Sequence, residues 1–151
     1  MTRCVLPALV LIASVLCVAT QVPAADYFLT IGGGYAPTGN QISLEKNVLF
    51  FQHLLAQKYP DGPTQHDIFF SDGVDPGRDL QYVDADARVP RANLLLASVF
   101  RKTKYLNHRY RSHQVPGVRG GTTRTNLSKW FAEEGSQLKP GDRLLIYVTG
   151  H

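Results

Sequence analysis

The segment Arg143-Leu-Leu-Ile-Tyr-Val-Thr-Gly-His151 ends in the most chemically suggestive residue of the chain. An imidazole titrates near neutral pH and can both accept and donate a proton, so a histidine held at a strand end is equipped for general acid/base work. The apolar run 144–148 has strand length and follows a Pro140-Gly141-Asp142 turn, which is the pattern of a central parallel strand buried on both faces. Thr149-Gly150-His151 then falls at the carboxyl edge of an open α/β sheet, where ligands and catalytic groups collect. The same position also suits a histidine in an exposed connection that does no chemistry. Asp72 is a second candidate, because it closes the short apolar run Asp67-Ile-Phe-Phe-Ser71 and so reaches the same edge.

Other chemistries fit these residues poorly. Gly34-Tyr-Ala-Pro-Thr-Gly39 has the glycine spacing of a P-loop, but Asn40-Gln41 stands where Lys and Ser or Thr must reach phosphate and magnesium. Gly32-Gly33-Gly34 opens like a dinucleotide turn, yet Pro37 takes the place of its third glycine. The glycines read instead as a tight turn that leaves the sheet edge open, and no cofactor is expected. His53 falls within a helix and reads as partly buried, while His66, His108 and His113 read as loop residues without helical ligand spacing, so no metal is expected. A serine hydrolase would need a Gly-x-Ser-x-Gly elbow, which is missing.

The elements that must position these groups follow from hydrophobic period. The first 25 residues read as a secretory signal peptide, with Arg3 as the positive start, an apolar core over 5–18 and a small-residue region at Val22-Pro23-Ala24-Ala25. Cleavage is expected near Ala24 or Ala25, giving an exported protein; an uncleaved membrane anchor is the alternative. Cys4 and Cys17 both lie in this segment, so the mature part has no disulfide and no thiol nucleophile of its own. Residues 26–31 form a first strand, rich in aromatic and β-branched residues. Leu44, Val48, Phe51 and Leu55 trace one face of a helix over 43–58, stopped by Pro60-Asp61-Gly62-Pro63. Residues 67–71 give a second strand, and strand, helix, strand is the unit that builds parallel sheets. Residues 74–89 read as a long surface loop, Pro90 starts a short second helix, and 104–123 read as a basic loop. Thr125 or Asn126 is placed to cap a third helix, in which Trp130 reads as core. The expected fold is α/β: a doubly wound, mostly parallel sheet with flanking helices.

Charge is unevenly spread. The formal net charge is +4, and removing Arg3 leaves about +3. No acidic residue falls between Asp86 and Glu133, an interval that holds Arg101, Lys102, Lys104, Arg109, Arg111, Arg119 and Arg124. Such a field attracts anionic polymers or acidic peptides unless it is only a solvated loop.

The ending Gly141-Asp-Arg-Leu-Leu-Ile-Tyr-Val-Thr-Gly-His151 resembles the catalytic-histidine strand of the caspase-like cysteine peptidases, which include legumains, metacaspases and caspases. The layout of strands and helices, with Thr125-Asn126-Leu127 opening the helix before that strand, is similar to theirs, and the signal peptide and simple turn at 32–40 lean toward the legumain-like branch. The resemblance implies a cysteine endopeptidase in which His151 assists proton transfer and a thiolate attacks the peptide bond. The thiolate is implied to come from the next strand, so residues 26–151 are expected to be the N-terminal part of a peptidase domain, truncated after its third main strand and inactive as given. The arginine that lines the family's specificity pocket has no counterpart among residues 32–41, so an Asn or Asp preference is not implied. Asp72, facing the cleft, would favour a basic residue instead. A different class remains open: a secreted, non-catalytic binding module that holds an anionic polymer through the basic residues named above.

Overall fold

The computed structural model describes residues 24–34, 36–63 and 65–150. Residues 1–23, most of the expected signal peptide, and His151 lie outside the described residues. Among those described, no helix is long and apolar enough to cross a membrane.

The first strand, β1, spans Asp26–Gly32 and is followed by α1 at Ile42–Lys58 and β2 at Gln65–Phe70. Further along come β3 at Leu80–Val83, α2 at Arg91–Val99, β4 at His108–Arg111 and β5 at Val118–Gly120. α3 at Arg124–Glu133 and β6 at Arg143–Thr149 complete the order. The main sheet is four-stranded, in the order β5-β2-β1-β6, and all of its pairings are parallel. The expected α/β class is therefore present, with helices on both faces.

Alternation along the strands explains the two layers. Ile68 and Phe70 face α1 and meet Leu44 and Val48, whereas Leu29 and Phe69 face α3 and meet Trp130. Each fully buried large side chain here, such as Phe70 or Leu29, contributes about 1.5–3 kcal/mol relative to exposure. Trp130 is core, as its helical spacing suggested, and its indole N–H donates to Asp67 Oδ2 at 2.7 Å. Thr123 caps α3 by accepting the Asn126 N–H, so the cap falls slightly earlier than Thr125 or Asn126.

Three expectations need correction. The 144–148 run belongs to an edge strand: β6 pairs only with β1 among the described residues, and Leu145, Ile146 and Val148 stay 44–64% exposed. An apolar run reports hydrophobicity, not how many neighbours a strand has. The loops at 74–89 and 104–123 contain β3 and β4, which pair antiparallel as a separate ribbon with Leu80 opposite Arg111, and β5, which adds to β2. These strands are short and polar, so their pairing comes from tertiary contact. Finally, His66 lies in β2 and His108 in β4, and His53 is exposed on α1.

The ribbon is docked by charge. Glu45 on α1 is 3% exposed and accepts from the Arg111 guanidinium and from the Gln114 backbone N–H. A buried carboxylate requires such partners, and breaking one from a buried pair costs about 3–5 kcal/mol. Because Arg111 keeps 29% exposure and can rehydrate, Glu45→Ala is expected at the low end, about 3 kcal/mol, read from urea denaturation. An unchanged midpoint would show that the ribbon does not lean on this pair.

A pH dependence follows from β2. His66 packs edge-on against Phe28 and Phe51, with its Nε2 2.9 Å from Thr30 Oγ1, and burial lowers its pKa from the usual 6.5 against a smaller upward pull from Asp67. The unfolded chain therefore takes up a proton before the folded one does. Stability from this group is fully present above about pH 6.5 and is lost as pH falls toward the lowered native value. Denaturation midpoints measured from pH 7.5 to 5 are expected to fall, and to fall less in His66→Gln.

Candidate functional site

The carboxyl ends of the parallel strands converge on one edge, and the turn after β1 organises it. A Cβ on Gly32 would lie 2.6 Å from the Phe70 ring and 2.8 Å from Val48, so only glycine lets the core close there. Gly33 adopts φ +71° and donates its N–H to Thr149 O at 2.9 Å. The loop returning toward α1 then delivers Asn40, which is fully buried. Its Oδ1 accepts the Gly34 N–H at 2.6 Å, and its Nδ2 donates to Gly34 O at 2.7 Å and to Ser71 Oγ. The Gly34 amide, which a phosphate would need, is thus taken by a side chain.

β2 ends under strain beside it. Ser71 is buried at φ +49°, a left-handed conformation costly for a residue with a side chain. Ser71 N–H donates to Gly32 O, and its own carbonyl accepts the Thr122 N–H at 2.9 Å. Thr122 Oγ1 donates to Gly32 O, so β1, β2 and the segment after β5 are locked together at one point. The backbone of Gly73, at φ +93°, runs directly against that of Gly121, where neither residue has room for a Cβ.

On the other side of β1, the end of β6 is pinned twice. Thr149 is 8% exposed, and its Oγ1 accepts from Asn47 Nδ2 of α1 at 3.0 Å. Gly150 is exposed, and a Cβ there would sit 3.9 Å from Gly33 O. The backbone leading to His151 therefore leaves the sheet beside the β1 turn, although His151 itself lies outside the described residues.

Asp72 follows Ser71 at this edge, half-buried, with Oδ1 shielded and without a hydrogen-bond partner. Asp79, just before β3, and His113, just after β4, are brought to it by the ribbon. Ligating atoms of the three lie within 4.8 Å of one another. Burial first, and then the neighbouring Asp79, push the Asp72 carboxyl above its usual 3.8. Sequence spacing missed Asn40, Asp79 and His113, because their partners stand far away along the chain.

Some of the basic residues have partners within the chain. Arg111 pairs with Glu45, and Arg119 pairs with Asp67 and Glu134. Arg109 donates to the Leu106 and His108 carbonyls, and Lys102 and Lys104 lie over the Tyr105 ring. Arg101, Lys102, Lys104 and Arg124 remain exposed.

Asn40 supports the edge and should be sensitive to truncation. Asn40→Ala leaves buried groups on Gly34 and Ser71 without partners, with an expected loss of about 3 kcal/mol and faster hydrogen exchange at the Gly34 amide. Retained protection at Gly34 would mean that another group holds the turn.

Comparison with models of known protein families, with curated proteins and with solved structures gives no match for this chain.

Proposed function

We propose that the chain is the histidine-bearing part of an exported, caspase-like cysteine endopeptidase, with His151 as general acid/base. The observation that carries this reading is the end of β6: Thr149 is pinned to Gly33 and Asn47, and the outer edge of the strand is apolar and uncovered at Leu145, Ile146 and Val148. An edge of that kind fits a further strand pairing along β6. A cysteine at the end of such a strand would lie next to His151. The resemblance of residues 141–151 to the family's histidine strand points the same way.

The chemistry is acyl transfer. The thiolate sulfur bonds to the scissile carbonyl carbon, the C–N bond breaks, and the imidazolium of His151 gives its proton to the departing amine. Water then attacks the thioester, with the neutral imidazole taking its proton and the thiolate leaving. The anionic-polymer alternative draws less support, because Arg111 and Arg119 already pair within the chain.

In the protein carrying the cysteine strand, a peptidyl acyloxymethyl ketone is expected to label one cysteine beyond β6. His151→Ala is expected to lower kcat by about 100- to 10,000-fold. Hydrolysis unaffected by this change, or labelling that requires no cysteine near β6, would sink the proposal.

A further inference from the structure

The geometry points to a divalent transition-metal site formed by Asp72, Asp79 and His113, with Zn2+ or Mn2+ as the class of ion. It does not rest on the peptidase reading. Chain topology builds the cluster: Leu80 pairs with Arg111 across the ribbon, so Asp79 and His113 leave β3 and β4 at the same end. That end meets the residue following Ser71, which is Asp72. The His113 backbone N–H donates to Asp79 Oδ1 at 3.0 Å, and Ser112 Oγ donates to Gly77 O at 2.7 Å, which closes the 72–79 loop over the group.

The carboxylates are the sign of a missing charge partner. Asp79 is 1% exposed, and its Oδ2 is buried with no hydrogen-bond partner among the described residues. Asp72 Oδ1 is in the same condition. Desolvated carboxylate oxygens facing one another need a proton or a cation between them.

The imidazole selects the cation. His113 Nε2 lies 2.7 Å from the Gly73 carbonyl, which can only accept, so Nε2 carries the hydrogen and Nδ1 carries the lone pair. A ring N–H anchored on a backbone carbonyl is the usual outer support of a metal-binding histidine. The Val115 N–H donates to Nδ1 at 3.3 Å, a long hydrogen bond that an ion at Nδ1 would replace.

Size and donor type narrow the ion further. Tetrahedral metal bonds of about 2.0–2.2 Å place ligand atoms about 3.3–3.6 Å apart. Atoms now within 4.8 Å of one another therefore close around an ion when side-chain rotations shorten their separations by up to about 1.5 Å. Calcium asks for six to eight oxygens and has little use for imidazole, whereas a mixed oxygen and nitrogen set suits zinc or manganese. Bound there, the ion would clamp the ribbon to the end of β2.

The test uses the whole chain, stripped with chelator and dialysed, in thermal unfolding and calorimetric titration. The probes are ZnCl2, MnCl2, CaCl2 and MgCl2, with agmatine as an organic cation that mimics a basic side chain. Zn2+ or Mn2+ at 100-fold above Kd is expected to raise Tm by about 5–10 °C, more than Ca2+ or Mg2+ does. Asp72→Asn and His113→Ala are each expected to weaken binding at least tenfold. Asp79→Asn should do the same, and if it fails to fold the other two variants carry the test. No shift with any ion, a shift that survives both Asp72→Asn and His113→Ala, or a shift with agmatine alone would overturn the site. Because the readout is binding, it stands or falls apart from peptide hydrolysis.

Discussion

Everything in this fold passes through β1. It is hydrogen-bonded to β2 on one side and to β6 on the other, and its Leu29 and Ile31 belong to the core under α3. The strand ends in Gly32 because Phe70 and Val48 fill the space a side chain would take. That close approach turns the chain sharply, frees Gly33 to bond Thr149, and so sets where the end of β6 lies. A larger residue at Gly32 would disturb the core and the edge together.

Around this hydrophobic frame, position is set by a few buried polar groups. Asn40 holds the β1 turn to β2, Glu45 holds the ribbon to α1, and Asp79 holds the ribbon's two ends together. Buried polar groups are costly when unpaired and directional when paired, so they select one arrangement where apolar contacts would accept several. Asn40 and Glu45 find their partners within the fold, while Asp79 keeps one oxygen without a donor. That difference separates groups that serve architecture from one that faces a ligand.

Much of the scaffold was legible residue by residue. The spacing of Leu44, Val48 and Leu55 announced α1, the aromatic and β-branched run from Asp26 announced β1, and both were found within a residue or so of the expected bounds. Leu80-Gln-Tyr-Val83 and His108-Arg-Tyr-Arg111 gave no such signal, being short and half polar. They are strands because each pairs with the other across the ribbon, and because Glu45 neutralises Arg111 from a distant helix. The basic interval was likewise visible as composition, but composition could not tell that Arg111 and Arg119 already had carboxylates to pair with.

The sequence by itself determined the α/β class, the core face of α1, the burial of Trp130 and the placement of Thr149-Gly150 at a strand end. Those follow from local period and turn chemistry, which neighbouring residues encode among themselves. The tertiary structure alone decided that β6 pairs only with β1 among the described residues, that β3 and β4 form a ribbon, and that Asp72, Asp79 and His113 share one small volume. Such facts depend on which distant segments meet. Their separation along the chain carries no periodic trace, and only the closing of the core brings them within reach.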